Sequence, residues 1–371
     1  MLPISVCMIA KNEEQHIEES LKRLKPYHYE IVLVDTGSTD RTLEIAAKYT
    51  DKIYHFDWIN DFSAVRNFSF AQASNDWVLV IDCDDYIESI DEKELARLMK
   101  KHPHSIGQIL TRNRFTQDGQ TSYENVYVSR FIDRRYYHFE GRIHEQFEPL
   151  TDEYPKAYFR TPIKAVHVGY DGPEEEMRAK SLRNIALLEE ELASTGPDAY
   201  LYYQLAQSCM KLKDYEKAYE WYNLGLSMDI DPSLDYVQTM VESYGYCLLD
   251  LKRYDEALGL EGVYDIFSVR ADFVFLMGLI YMNNGLFVEA VEEFKKSTTM
   301  EQFSVEGINS YRANYNIGVI YECTGHIEEA RKYYKKCGAF DMAKARLEKY
   351  LHWDGSRRHL CGKDFTKQCR A

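Results

Sequence analysis

The chain has 371 residues, with 45 Lys+Arg against 60 Asp+Glu and a formal net charge of -15. At about 100–200 residues per domain, that length points to two domains, and an apolar share of 45% suits packed cores rather than a disordered chain. The acid excess argues against a protein whose main task is gripping nucleic-acid phosphates, which needs a strongly positive surface.

Residues 1–90 alternate strand and helix signals. Ile4–Ala10 is an apolar, β-rich run, and Glu14–Leu24 carries helical spacing at Ile17, Leu21 and Leu24. EIVLVD (Glu30–Asp35) is a short apolar run closed by an acid. A helix is expected over Thr39–Tyr49, with Ser38 or Asp40 suited to its N-terminal cap. Lys52–Phe56 reads as a third strand, Asp61–Ala73 as a helix, and WVLVID (Trp77–Asp82) as a fourth strand. Continuous apolar strands separated by helices mean a parallel sheet covered on both faces, an α/β domain. Ligands of such sheets sit at the carboxyl ends of the strands, where the acids of EIVLVD and WVLVID fall.

From about 105 to 170 the pattern changes to alternating segments at Ile106–Phe115 and Asn125–Ile132, followed by a stretch rich in His, Arg and Glu. These read as strands and active-site loops, closed by Gly169, Gly172 and Pro173. A charged helix runs from Glu174 to about Ala193 and ends at Ser194–Pro197.

From residue 199 onward only helical periodicity is present, and it repeats. A small residue is followed twelve positions later by Ala: Ala206 and Ala218, Gly245 and Ala257, Gly278 and Ala290, Gly318 and Ala330. Successive units start 39, 33 and 40 residues apart. Tyr222, Phe294 and Tyr334 lie sixteen after the small residue, where the second unit has Glu261. Small residues let paired helices approach, and aromatics fill the groove between them. This resembles tetratricopeptide repeats. Of the 30 tyrosines, 18 fall in residues 199–371, a skew these aromatic positions explain if each hydroxyl reaches the rim. The spacings of 39 and 40 imply longer inter-helix connections.

No apolar run approaches the roughly 20 residues that cross a bilayer. Met1–Ala10 lacks the basic flank and cleavage site of a signal peptide, so none is expected. Eight cysteines stand at 7, 83, 209, 247, 323, 337, 361 and 369, without a CxxC pair. They fit neither a disulfide framework nor a zinc site. Reduced core thiols in a cytoplasmic protein are expected, with Cys361 and Cys369 exposed in the tail.

IDCDD (residues 81–85) carries the chemistry. Asp82 and Asp84 are two apart, so in an extended chain they project to one side. Two hard carboxylates aimed at one point suit Mg²⁺ or Mn²⁺, which keep positions open for phosphate. Taken alone, such a pair is as often a solvated turn. Cys83 between them points to the core.

The order ISVCMIAKNEE, IVLVDTGSTD, NDFSAVRN and VLVIDCDD resembles glycosyltransferase family 2, the inverting enzymes of GT-A fold, closely over residues 3–90 and loosely over 90–170. With the repeats, the chain is similar to a subgroup that includes bacterial peptide glycosyltransferases, whose DFSAVRN and HxGY patterns it shares. The resemblance implies that Ala10, Asn12 and Glu13 line the nucleotide and that Asp35 holds uracil or ribose. It implies that Arg66 reaches base or phosphate, that Asp84 binds the metal, and that Asp82 contacts ribose or metal. Asp40 reads first as a loop-steadying cap, and Asn67 as a stabiliser of its helix.

A departing nucleoside diphosphate needs a divalent cation as Lewis acid, and an attacking acceptor needs a base on the opposite face of the sugar. FEGRIHEQ (139–146) and AVHVGY (165–170) offer candidates. Glu145 leads as base, with His144 the alternative. His167 is a candidate metal ligand through a neutral imidazole, against the reading of a hydrogen-bonded core histidine. Arg142 is an alternative diphosphate binder. Arg130, Arg134 and Arg135 read first as solvated surface, with a phosphate clamp as the alternative.

The expected organisation is a catalytic domain over 1–173, a linking helix over 174–198, repeats over 199–350 and a tail over 351–371. The expected activity is metal-dependent inverting transfer of a hexose or N-acetylhexosamine from a UDP-sugar to a peptide or protein docked on the repeats. A cell-surface glycan or lipid-linked acceptor is the runner-up. A non-catalytic interaction protein is disfavoured by the intact Asp35, Arg66, Asp82 and Asp84. The repeats serve equally well as a homodimerisation device. A haloacid dehalogenase-type phosphatase is disfavoured, because Tyr86 stands where that family has Thr or Val. Neither GxGxxG nor GxxxxGK[ST] occurs.

Overall fold

Alternation along β1 (Ile4–Ala10) sorts its side chains into two cores. Ile4, Val6 and Met8 join one cluster with Ile17, Leu21 and Leu24 of α1 (Ile17–Leu24). Cys7 joins the other, on the opposite face of the sheet. A computed structural model describes residues 2–117, 120–169 and 174–350. The chain divides into two units, Met1–Gly196 and Pro197–Ala371.

The first unit continues with β2 (Glu30–Asp35), α2 (Thr42–Ala46), β3 (Ile53–His55), α3 (Phe62–Gln72) and β4 (Trp77–Val80). After these come β5 (Asp85–Ile90), α4 (Glu92–Lys101), β6 (Ile106–Gln117), β7 (Gln120–Asp133), β8 (Tyr137–Glu140), β9 (Gln146–Pro149), β10 (Tyr158–His167) and α5 (Glu174–Thr195). Eight strands form one sheet in the order β3-β2-β1-β4-β7-β6-β10-β5. The first four are mutually parallel, and β7 then runs against β4. β10 is parallel to β6, and β5 is antiparallel to β10. This is a Rossmann-like, mostly parallel sheet.

The strands follow the apolar runs, but three local expectations change. The fourth strand stops at Val80 rather than Asp82. The chain then turns, and Asp85 N–H donates to the Asp82 carbonyl (3.0 Å), so Asp82 and Asp84 do not project together from an extended segment. The helix expected over 39–49 shrinks to Thr42–Ala46, since Asp40 Oδ1 takes the Thr42 N–H (2.9 Å) and delays its start. β5 and α4 have no counterpart among the sequence expectations. Asp91 caps α4 by accepting from Lys93 and Glu94 N–H.

Among the described residues the second unit is built of helices, a tetratricopeptide-like array. It comprises α6 (Ala199–Lys211), α7 (Tyr215–Leu226), α8 (Asp235–Asp250), α9 (Tyr254–Ala257), α10 (Tyr264–Phe267), α11 (Ala271–Asn283), α12 (Phe287–Ser297), α13 (Tyr311–Cys323), α14 (Ile327–Lys336) and α15 (Asp341–Lys349). A Cβ on Gly278 would come within 2.7 Å of Phe294, and one on Gly318 within 2.6 Å of Tyr334. The small residue therefore exists to seat the ring sixteen positions later. Tyr222, Phe294 and Tyr334 are fully buried, so the hydroxyls of Tyr222 and Tyr334 do not reach the rim as expected. Tyr334 donates instead to Glu322 (2.6 Å). The second unit's Glu261 lies in a 3-10 turn (Leu258–Val263), and Leu260 packs against Gly245 in place of the ring. The long connections are 227–234 and 298–310.

Among the described residues Cys7, Cys83, Cys247 and Cys337 are free, buried thiols, Cys209 is buried and Cys323 half-buried. Gly172, Pro173, Cys361, Cys369 and the tail lie outside the described residues. Among the described residues no helix is long and apolar enough to cross a membrane.

Candidate active site

The site forms where β4 gives way to β5 at the carboxyl end of the parallel strands. Asp84 and Asp85 close the turn after β4, and β10 places His167 opposite Asp85 in register. The ligand atoms of Asp84, Asp85 and His167 all lie within 4.8 Å of one another. His167 Nδ1 is 2.9 Å from Asp85 Oδ1 and 3.6 Å from Asp84 Oδ1. A carboxylate that takes the Nδ1 proton orients a histidine's Nε2 as a ligand. The other side of the ring faces Gly169, where no side chain fits. A Cβ at that position would overlap Asp84 Oδ2 and lie 3.0 Å from His167 Nε2. The backbone thus leaves a small cradle facing one carboxylate oxygen and one imidazole nitrogen. That donor set fits a divalent cation such as Mn²⁺ or Mg²⁺. Asp84 and His167 would hold it, with Asp85 orienting the His167 ring.

The crowding of acids sets the electrostatics of the site. Burial raises the Asp84 pKa, and Asp85 and Asp82 add to the rise while His167 and Lys180 oppose it. Burial alone lowers His167, but the hydrogen bond to Asp85 and the charges of Asp84 and Asp85 outweigh it and raise its pKa. Glu13, after β1, is pushed up to about 7 by burial and by Asp84. Three acids crowded together lack a positive charge that a cation would supply.

Asp82 stands apart from this cluster. Arg66 Nη2 donates to its Oδ1 (2.9 Å) and Arg130 Nη2 to its Oδ2 (2.7 Å). Burial would raise Asp82, yet the two guanidinium groups win and hold it far below the usual carboxylate range. Arg66 Nε also donates to Glu145. Arg66 is buried, and its Nη1 has no hydrogen-bond partner among the described residues. Asp61 Oδ1 caps α3 at Ala64 N–H (2.9 Å), which fixes the helix that carries Arg66. His144 takes a left-handed backbone (φ 51°) in the loop between β8 and β9. That segment is therefore not a strand.

Several residues expected to line a ligand bind the protein itself. Asp35 is buried and accepts from Gly37 N–H (3.0 Å) and Ser38 N–H (3.1 Å). Asn12, at φ 56°, accepts from Thr39 N–H (2.8 Å). Ala10 O receives Thr36 N–H (2.9 Å). Together these tie the loops after β1 and β2 into one rim. Asn67 exchanges two hydrogen bonds, each 2.8 Å, with the Phe139 backbone and so ties α3 to β8. The expected Arg cluster is split: Arg130 enters the site, Arg134 donates to Asn75 O, and Arg135 pairs with Asp133 and Asp76. Arg142 pairs with Glu190 and Glu191 of α5.

Sequence reasoning misses Asp85, which reads in one dimension as a mere neighbour of the motif. Its partner His167 is 82 positions away, and only the β5–β10 register brings them together. It also misses Lys180 of α5, whose Nζ lies 3.8 Å from Asp84 Oδ2.

Fold and site together define a GT-A type catalytic domain followed by a tetratricopeptide-like array. Residues 5–162 match the model for glycosyl transferase family 2, and residues 199–230 and 311–337 match that for the tetratricopeptide repeat. The chain thus carries a glycosyltransferase family 2 domain followed by tetratricopeptide repeats. It is 32% identical over 234 residues to a TPR repeat-containing protein of Synechococcus elongatus, covering 61% of this chain and 57% of that one. It is 28% identical over 195 residues to the SPbeta prophage-derived glycosyltransferase SunS of Bacillus subtilis, covering 51% of this chain and 45% of SunS. It is 33% identical over 112 residues to the poly(ribitol-phosphate) beta-N-acetylglucosaminyltransferase TarS of Staphylococcus aureus, covering 28% of this chain and 20% of TarS. The chain spans about half the length of the first two relatives.

Proposed function

We propose that the protein is a metal-dependent inverting glycosyltransferase, using a nucleoside diphosphate sugar, with UDP the favoured nucleotide. The observation that carries this reading is the cradle at Gly169, where Asp84 and His167 converge within a family 2 domain. A divalent cation bound there supplies Lewis-acid stabilisation of the departing diphosphate. Arg66, with one buried nitrogen unpartnered among the described residues, adds charge-assisted hydrogen bonds. The acceptor heteroatom forms its bond to the anomeric carbon as the bond from that carbon to the diphosphate oxygen breaks. The nucleoside diphosphate leaves with the electron pair. The acceptor's proton passes to a base, for which Glu145, oriented by Arg66, is the leading candidate and His144 the alternative. Asp82, between two guanidinium groups, positions them.

A peptide or protein acceptor is favoured, because repeat arrays offer extended surfaces to polypeptides and the second unit is such an array. TarS, named for a poly(ribitol-phosphate) acceptor, supports the second reading, a cell-surface polymer. A cytoplasmic location accords with the free buried thiols. The test is nucleotide release from a panel of UDP- and GDP-sugars with and without Mn²⁺. Metal-dependent release of one nucleotide is expected. No binding and no release from any donor would overturn the enzyme reading.

A further inference from the structure

Helix α5 brings two cations to the catalytic cleft. Lys180 Nζ lies 3.8 Å from Asp84 Oδ2, the same oxygen that faces the Gly169 cradle, and its charge also opposes the rise in the Glu13 pKa. Three residues on, and so on the same face of the helix, Arg183 lies over the Phe62 ring at 5.5 Å. Phe62 and Arg66 are four apart on α3, which places Arg183 on the wall that carries Arg66. Arg183 donates to Asn184 Oδ1 (3.1 Å), and no carboxylate pairs with it among the described residues. Its side chain is exposed to solvent. An exposed guanidinium beside the cleft, with no carboxylate partner among the described residues, is free to meet an anion.

We infer that Lys180, assisted by Arg183, holds the diphosphate of the donor, so that the helix leading out of the catalytic domain forms one wall of the donor site. The inference rests on the donor reading above. The physical case is one of distance and charge. A divalent cation held by Asp84 and His167 would keep positions open for phosphate oxygens. Those oxygens then fall within reach of an ammonium that already lies 3.8 Å from the same carboxylate. Without the metal, Lys180 supplies part of the positive charge that Asp84 lacks. With the metal alone, the two cations repel each other. With metal and diphosphate together, the ammonium has an anion to turn to, and its long flexible stem permits the move. Lys180 therefore opposes metal binding by itself and favours diphosphate binding once the metal is present. A lysine with a merely structural role would not give this pair of opposite signs.

The experiment is calorimetric titration of the full chain with Mn²⁺ alone and then with UDP or GDP at saturating Mn²⁺. In Lys180→Met, Mn²⁺ alone is expected to bind as tightly as in the parent or up to about fivefold more tightly, while nucleoside diphosphate affinity falls about tenfold or more. Lys180→Arg should restore most of the nucleotide affinity. Arg183→Met should lower it about three- to tenfold without altering Mn²⁺ binding. Unchanged nucleotide affinity in Lys180→Met, with a folded protein that still binds Mn²⁺, would overturn the assignment alone. Failure of the parent chain to bind either nucleotide with Mn²⁺ would overturn the donor reading and this inference with it.

Discussion

Two buried acids show how differently the two units use charge. Asp84 in the catalytic unit has a raised pKa, because burial and the neighbouring Asp85 and Asp82 outweigh His167 and Lys180. Glu322 in the repeat unit has a lowered one, although burial pulls the other way. Its two oxygens accept from Tyr334 (2.6 Å), Tyr350 (2.7 Å) and Arg346 (2.9 Å). One acid is short of partners and the other is fully served. Glycines divide in the same way. Gly169 opens onto Asp84 and His167, whereas Gly278 and Gly318 open onto aromatic rings already in place. Around Asp84 and Gly169 space and charge are left unfilled for a ligand, whereas around Glu322, Gly278 and Gly318 both are filled.

The largest expected effect comes from removing the unserved charge. Asp84→Asn should lower turnover at least about a thousandfold, the scale of losing one central electrostatic group, and abolish measurable Mn²⁺ binding. Thermal melting of the metal-free protein should hold or rise, since a repelling charge is removed. Loss of melting stability with turnover retained would place Asp84 among the structural acids. Glu322→Ala should do the reverse. It leaves Arg346 without its partner and should cost about 3 kcal/mol of stability in urea titration, with Mn²⁺ affinity unchanged.

The glycines give the next test. Gly278→Ala forces a methyl against Phe294 and should cost about 1–3 kcal/mol, the usual penalty of overpacking. Gly169→Ala should lower Mn²⁺ affinity about tenfold or more by crowding Asp84 and His167. The comparison breaks if Gly169→Ala costs as much stability as Gly278→Ala and leaves Mn²⁺ binding intact.

What can be read from the sequence follows the same division. The repeats are legible because each small residue meets its aromatic sixteen positions along the same hairpin, and the offset survives even where Glu261 interrupts it. The parallel strands are legible because burial on both faces demands continuous apolar runs. The site is legible only as a motif. Asp82 and Asp84 carry the same side chain two positions apart, yet a turn sends one to Arg66 and Arg130 and the other to His167. Asp35 and Asn12 look like ligand contacts in one dimension, and the structure shows that they also tie loops. Partners set these roles, and Arg130 at 48 residues from Asp82 and His167 at 82 from Asp85 leave no local periodicity to detect.

The smallest effect is the most discriminating, because it lies in the catalytic unit but follows the scaffold's rule. Glu30 opens β2 and is well shielded, accepting from Lys52 and the Ser5 hydroxyl and from Ser74 N–H (2.8 Å). Burial raises its pKa, but these hydrogen bonds prevail and bring it down to about 2 from an ordinary 4.5. A carboxyl with a depressed folded-state pKa stabilises the fold when ionised. Its contribution is full above about 4.5 and disappears as pH falls towards about 2. Glu30→Gln should therefore be less stable than the parent by about 1–2 kcal/mol at pH 7, and the gap should close between pH 4.5 and 2. Urea titrations at about pH 7, 4 and 3 measure it. A gap that stays constant with pH would mean that Glu30 acts through packing rather than charge. If the gap closes as expected, Glu30 is an acid served by its hydrogen-bond donors, as Glu322 is, within the same unit that leaves Asp84 short of them.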